Sequence, residues 1–416
     1  MDGAQAAATL DRTSLAQVAP TIQGMVDNNL LSGAVTLMWR GGEVVDVNVV
    51  GWRDIAAKAP MQRDTLFRIA SMTKPVTSVA IMMLVEEGKL KLDDPITRWM
   101  PEFANMVVLK DASGPVDQTV PANRDITVED LLTHRSGLAY GFTSVGPIAY
   151  AHEDALGSPL VNPMTPDAWL AALGKLPLSY QPGERMHYSH ATEVLGFLLA
   201  RIDGKTLGEA LKARIFGPLG MSDTAFWQPP EKRGRMARLY EAPAEGGPLK
   251  DVSFPDTDAP AAYEGGGGGL ISTADDYLKF ARAMLGGGAV DGVRLVKPET
   301  IALMRANRLT PDQRALPFIG MPFWFSQGFG LGVSMIMDPT LHQMMGAGSE
   351  GAFGWPGAFG TWWQADPAED LILIYLVQDS MALGPEAVTA MQTGRPTGRV
   401  ALPVFQKLAY AAISKG

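Results

Sequence analysis

The chain has no cysteine among its 416 residues, which excludes disulfides, thiolate metal sites and a cysteine nucleophile and leaves the fold to stand on packing alone. Histidine is scarce, with five in all. His187 and His190 are three apart, which does not fit the helix-borne zinc motif His-Glu-x-x-His, and no third ligand is evident, so neither a metal nor another cofactor is expected. Positive charge is also short: 35 Lys and Arg stand against 44 Asp and Glu, a net charge of -9. With no basic run to neutralise phosphates, nucleic acid is not an expected partner. No apolar stretch approaches the roughly 18 residues of a membrane span, so no membrane partner is expected either. Met1 to Gln5 lacks a basic n-region and the alanines that follow form no h-region, so the expectation is a soluble cytoplasmic protein without a signal peptide, as a monomer or homodimer.

What the chain does have is apolar mass. At 46% apolar residues it can bury one large core or two smaller ones. It is organised around Leu66-Phe67-Arg68-Ile69-Ala70-Ser71-Met72-Thr73-Lys74-Pro75-Val76. An apolar approach ends at Ser71, and good helix formers from Val79 to Glu87 follow until Gly88. If Ser71 opens this helix, Lys74 lies on the same face, nearly one turn above, and its amine reaches the hydroxyl. Pro75 falls in the first turn, where its missing N–H is no loss. A serine hydroxyl needs a base to take its proton, and a lysine is one such base. The free N–H groups of a helix start also favour an oxyanion. Ser-x-x-Lys alone is weak, since average composition yields on the order of one match by chance in a chain of this length.

Taken in order, Thr13 or Ser14 caps a first helix to about Asn28. Gly33 to Arg40 and Val44 to Val50 flank Gly41-Gly42 as an antiparallel hairpin. Helices separated by Pro, Gly and Asp run from Leu90 to about Pro260: one at Ile126 to Leu138 with a Thr cap and an acidic turn, one from about Thr192 to Ile202, one from about Leu207 to Ile215. Between them, Ala139 to Pro166 and Trp227 to Pro260 read as long loops that carry binding function or a lid. Gly265 to Gly269 are five consecutive glycines, read as close backbone approach under a pocket floor in preference to a linker. Ser272 with Asp275 then resembles a capping box. Gly328 to Met335, Phe353 to Trp363 and Leu371 to Val377 read as strands, with Asp366-Pro367 turning between the last two. A closing helix, about Pro403 to Ile413, would pack beside the first. The sheet is thus built from both chain ends, with a helical lobe inserted.

A Ser/Lys pair needs a second proton carrier and an oxyanion hole. Tyr188, on a turn just before a helix, is the candidate carrier, because a phenol beside an ammonium can lose its proton below its usual pKa of about 10. Near Trp355-Pro356-Gly357, Gly357 allows close backbone approach to a ligand, and the N–H of Ala358 could pair with that of Ser71 as oxyanion donors. Ala347-Gly348-Ser349-Glu350-Gly351 nearly spells the Gly-x-Ser-x-Gly elbow of α/β-hydrolases, but its first glycine is missing and no histidine follows His342, so it is set aside.

These stretches resemble the serine β-lactamase and penicillin-binding-protein superfamily, in the class C β-lactamase-like branch called family VIII carboxylesterases. Ser71-Met72-Thr73-Lys74 matches Ser-x-x-Lys; Tyr188-Ser189-His190 sits where Tyr-x-Asn would be; Trp355-Pro356-Gly357 sits where Lys-Thr-Gly would be. Leu131 to Leu138, Phe216 to Thr224 and Gly266 to Ala274 resemble further landmarks in the right order. The resemblance implies an α/β (α+β) fold of the β-lactamase/transpeptidase type: residues 1–88 and 261–416 as the domain with the central antiparallel sheet, 89–260 as a mainly helical domain, and the site in the cleft. It implies an acyl-enzyme on Ser71 with Lys74 and Tyr188 as bases. Where the family's Lys would face an antibiotic carboxylate, Trp355 offers no charge, so short-chain neutral esters are expected over β-lactams. His190 replaces an amide but retains one hydrogen bond to offer substrate. Tyr140, Trp227, Phe323, Trp324 and Trp355 are the expected pocket wall. A β-lactamase acting on cephalosporins and an acyltransferase of the same fold are the alternatives.

Overall fold

The site is carried by a sheet whose central strands are apolar on both faces. The computed structural model describes residues 10–243, 247–380 and 401–413. Its strands include β1 (Gly33–Arg40), β2 (Glu43–Asp54), β3 (Ala59–Pro60), β4 (Phe67–Arg68), β5 (Ile271–Ser272), β6 (Gln327–Phe329), β7 (Ser334–Ile336), β8 (Phe353–Pro356), β9 (Trp362–Asp366) and β10 (Leu371–Leu376). Eight of these form one sheet in the order β6-β7-β8-β9-β10-β1-β2-β3, every neighbouring pair antiparallel. Val35 of β1 lies opposite Leu376 of β10, so the N-terminal hairpin and the C-terminal strands meet in mid-sheet. β4 pairs with β5 apart from that sheet.

The surrounding helices include α1 (Val18–Asp27), α2 (Thr73–Glu86), α3 (Val128–Leu132), α4 (Pro147–Leu156), α5 (Ala191–Asp203), α6 (Ala274–Leu285) and α7 (Ala401–Ile413). β10 reads Leu-Ile-Leu-Ile-Tyr-Leu without polar alternation because both its faces are covered. Ile372, Ile374 and Leu376 join the large core shared with α2, α5 and α6. Leu371, Leu373 and Tyr375 join a second core closed by Val18 and Ile22 of α1 and Phe405 and Ala409 of α7. The antiparallel sheet with flanking helices is the α/β architecture expected from the sequence.

Several local expectations are corrected. Asp11, not Thr13 or Ser14, caps the first turn, accepting from Thr13 N at 2.9 Å, and α1 begins only at Val18. The helix read over Ile126 to Leu138 is only α3, capped by Thr127 and Asp130; His134 at φ +53° breaks it before Gly137. Thr273, not Ser272, caps α6. Gly328 to Met335 is the hairpin β6–β7, turned at Gly332 with φ +85°, and Phe353 to Trp363 is the hairpin β8–β9, turned at Gly360 with φ +84°. Positive φ favours glycine, and it was the glycines, read as strand members, that mark the turns. The loop read over Ala139 to Pro166 contains α4.

The five-glycine run is a packed layer. Thr77 Oγ1 donates to Gly266 O at 2.7 Å, and Leu270 N donates to Thr73 Oγ1 at 3.2 Å, both from the α2 side. From the other side α5 comes so close that a Cβ on Gly266 would sit 2.9 Å from Thr192 O. Only bare backbone fits between the two helices.

Candidate active site

Ser71 lies in a single 3-10 turn, Ala70–Met72, between β4 and α2. Ala70, immediately before it, has φ +46°, a left-handed conformation costing an L-residue about 1–2 kcal/mol. Neighbours hold it there: Ile69 N donates to Leu270 O at 3.0 Å and Thr361 Oγ1 donates to Ile69 O at 3.1 Å. The chain is therefore bent sharply just ahead of the serine.

Lys74 is 2% exposed on a helix with 11 of its 14 residues buried. Its Nζ has three oxygens around it: Tyr140 Oη at 3.0 Å, Gly267 O at 2.6 Å and Ser71 Oγ at 3.4 Å. Three acceptors match the three donors of an ammonium. Tyr140 in turn donates to both carboxylate oxygens of Glu193, at 2.8 and 2.9 Å. Burial and the Glu193 charge push the Tyr140 phenol well above its ordinary pKa, so it stays protonated as a donor. Burial raises the Glu193 carboxyl, while Lys74 and the Tyr140 hydrogen bond oppose the rise. The result is a buried chain from carboxylate through phenol to amine to serine.

Tyr188 stands on the same amine from another side. Lys74 Nζ lies 4.7 Å from its ring centroid, and Tyr188 Oη accepts from Trp355 Nε1 at 3.2 Å. The phenol hydrogen-bonded to Lys74 is Tyr140, which the sequence assigned to the pocket wall. Trp355 and Trp324 are each 1% exposed inside an aromatic cluster with Tyr188 and Phe329. They back the wall, whereas Phe318 and Phe323, only partly buried against that cluster, offer it a surface. Trp227 stands elsewhere, lining a separate cavity with Arg233. His190 is buried between Tyr140, at 4.3 Å between centroids, and Trp169, at 5.2 Å; its Nδ1 has no partner among the described residues. Burial holds its pKa well below the ordinary value, so it is neutral.

Gly357 and Ala358 lie in the β8–β9 turn. A Cβ on Gly357 would collide with Thr361 Oγ1 and the Ile69 carbonyl, so this turn packs directly onto the backbone leading to Ser71. Ala358 belongs to the small apolar cluster that contains Ala70 and Leu160. Among the described residues, no group of three or more His, Asp or Glu is placed to hold a metal ion.

Sequence reasoning missed Glu193 and the Gly267 carbonyl. Glu193 had one signal: it is an acid inside the apolar run of α5, between the buried Thr192 and Val194, and a buried carboxylate needs a partner. The carbonyl had none, since a backbone oxygen carries no residue code.

A model of the β-lactamase family matches residues 18–393. Protein Rv1367c of Mycobacterium tuberculosis is 50% identical over 397 residues, covering 94% of this chain and 98% of that protein. Esterase EstB of Burkholderia gladioli is 32% identical, covering 89% of this chain and 94% of its own. The solved structure of EstCE1, a hydrolase with promiscuous acyltransferase activity, superposes with a TM-score of 0.76 at 26% identity, over 96% of this chain and 99% of that one. The chain thus belongs to the β-lactamase family, in the class C β-lactamase-like branch that holds the family VIII carboxylesterases.

Proposed function

We propose that the protein is a serine carboxylesterase that forms an acyl-enzyme on Ser71. The observation that carries this reading is the set of oxygens around Lys74. When the amine is neutral, its two N–H bonds are taken by Tyr140 Oη and Gly267 O, and its lone pair is left for the third neighbour, Ser71 Oγ. Lys74 then takes the Ser71 proton as Oγ attacks the ester carbonyl. The N–H groups of Ser71 and Ala358 hold the oxyanion. As the C–O bond breaks, Tyr188 gives its proton to the leaving alcohol; it later takes one from the water that attacks the acyl-enzyme, and Lys74 returns its proton to Ser71 Oγ as the acid is released. Its oxygen is kept in place by Trp355 Nε1. Glu193 and Tyr140 position the amine.

Esters with short acyl groups are the proposed substrates, because partly buried Phe318 and Phe323 leave an apolar face beside Tyr188 and Trp355 brings no charge to it. Both EstB, named an esterase, and EstCE1, a hydrolase, support ester chemistry. The acyltransferase activity in the EstCE1 title supports a second reading, in which an alcohol replaces water as acceptor. Turnover of p-nitrophenyl acetate, butyrate and octanoate beside a chromogenic cephalosporin tests the first reading: acetate or butyrate should be fastest. Cephalosporin turnover exceeding all three esters would make the protein a β-lactamase. Transesterification products on adding short alcohols would establish the second.

A further inference from the structure

Three residues before Ser71, Arg68 of β4 lines a cavity of about 80 Å³ that shares no lining residue with the aromatic cluster. That volume holds a few waters or a small acid group. Its walls include Arg233, Tyr263, Leu160 and Ile271, the last being the β5 partner of Arg68.

The charges in this cavity are unbalanced. The Arg68 guanidinium lies over the Phe254 ring, 5.3 Å from its centroid, and makes no ion pair or side-chain hydrogen bond among the described residues. Burial lowers its pKa from the ordinary value, and Asp256, also in the wall, opposes that shift through space without pairing. Arg233 is held by Thr257 O at 2.5 Å, and the nearest carboxylate, on fully exposed Asp258, is 3.8 Å away. Among the lining residues two guanidinium groups face one carboxylate, Asp256, and the second carboxylate, Asp258, stands by Arg233 and leaves Arg68 without an ion pair. Tyr263, whose buried hydroxyl has no partner among the described residues, lines it too. A partly desolvated guanidinium without a carboxylate is costly, and an entering acid recovers that cost with two parallel hydrogen bonds.

The cavity adjoins the serine. Leu160 lines it and also packs against the small cluster that contains Ala70, as do Ala358 and Phe254, the ring beneath Arg68. Three residues of chain keep the Arg68 and Ser71 Cα atoms within about 11 Å.

We propose that this cavity is a carboxylate-binding subsite, in which Arg68, assisted by Arg233, holds an acid group carried by the ester substrate remote from its scissile carbonyl. The proposal rests on the ester-hydrolase reading and goes beyond the expectation of neutral esters: Trp355 carries no charge, whereas this cavity holds Arg68 and Arg233.

The test is a ratio, kcat/KM for an acid-bearing ester over that for its methyl-capped neutral analogue. Mono-p-nitrophenyl glutarate places the acid on the acyl side, and 3-acetoxybenzoate places it on the alcohol side. The wild type should favour the acid at least tenfold in one of the two pairs, Arg68→Gln should reduce that ratio about tenfold, and Arg68→Lys should restore part of it. Ratios at or below one in both pairs overturn the proposal, as does a ratio that Arg68→Gln leaves unchanged. Should Arg68→Gln fail to fold, Arg233→Gln takes its place with a smaller fall expected and the same contrary result. If no ester of any kind is turned over, the hydrolase reading fails, and calorimetric titration of the wild type and Arg68→Gln with glutarate decides the subsite separately. Binding by the wild type that the variant loses upholds it; no binding by the wild type overturns it.

Discussion

At the scale of single residues, two phenols flank one amine and their oxygens have different partners. Tyr140 Oη is bound to Lys74 and Glu193, whereas Tyr188 Oη is bound to Trp355. On the proposed mechanism this separates positioning, by Tyr140, from proton transfer, by Tyr188. Tyr140→Phe leaves a buried carboxylate and an amine each short of a partner, and kcat should fall about a hundredfold with KM nearly unchanged. Tyr188→Phe removes the proposed proton carrier and should cost on the order of a thousandfold. Steady-state kinetics on p-nitrophenyl butyrate measures both; a Tyr140→Phe enzyme with full kcat would remove Tyr140 and Glu193 from the machinery. Ser71 and Lys74 were legible in the sequence because their relation is local, set by helical spacing. The Tyr140 hydrogen bond spans 66 residues of sequence, and no local pattern encodes it.

At the scale of elements, the glycine run decides how closely α2 and α5 approach. A Cβ on Gly267 would lie 2.5 Å from the Glu193 carboxyl carbon. Gly267→Ala should therefore lower both Tm and kcat, the latter by about tenfold or more as Glu193 is pushed off Tyr140. Calorimetry with kinetics checks this, and an unaltered kcat would show that Glu193 has room to move. The closing helix supplies the contrast. Phe405, 1% exposed and stacked on Tyr375, belongs to the core on the far face of the sheet. Phe405→Ala should cost about 3–5 kcal/mol in denaturant unfolding while kcat/KM of the folded enzyme stays within about twofold of wild type. The strands were legible where apolar runs are uninterrupted, as in β10. They were misjudged at β6–β7 and β8–β9, where single glycines at positive φ turn a run of strand formers back on itself.

At the scale of the whole molecule, stability should depend on pH through histidines buried in the neutral form. Burial holds His134 and His190 well below the ordinary value and brings His152 and His187 down to about 4. Below their unfolded pKa of about 6.5 the unfolded chain binds protons that the folded one refuses. Their contribution is thus complete above about pH 6.5 and is lost as pH falls toward 4. Glu87, hydrogen-bonded to Arg214, and Asp223, hydrogen-bonded to Arg235, are each lowered to about 2, so their contribution is lost further down, as pH falls from about 4 toward 2. A thermal melt series should show Tm level above pH 7 and falling steadily below 6.5; a flat Tm down to pH 4.5 would contradict the buried neutral histidines. No helix among the described residues is long and apolar enough to cross a membrane.

The measurement that goes most directly to the serine is covalent trapping. The wild type is treated with a p-nitrophenyl alkylphosphonate, residual esterase activity is followed, and the adduct is located by peptide mass spectrometry. One phosphonyl group per chain on the peptide containing Ser71, formed in step with loss of activity and absent from Ser71→Ala, is the expected result. Inactivation with the adduct on another residue, or ester turnover that survives Ser71→Ala, would contradict the assignment of Ser71 as nucleophile.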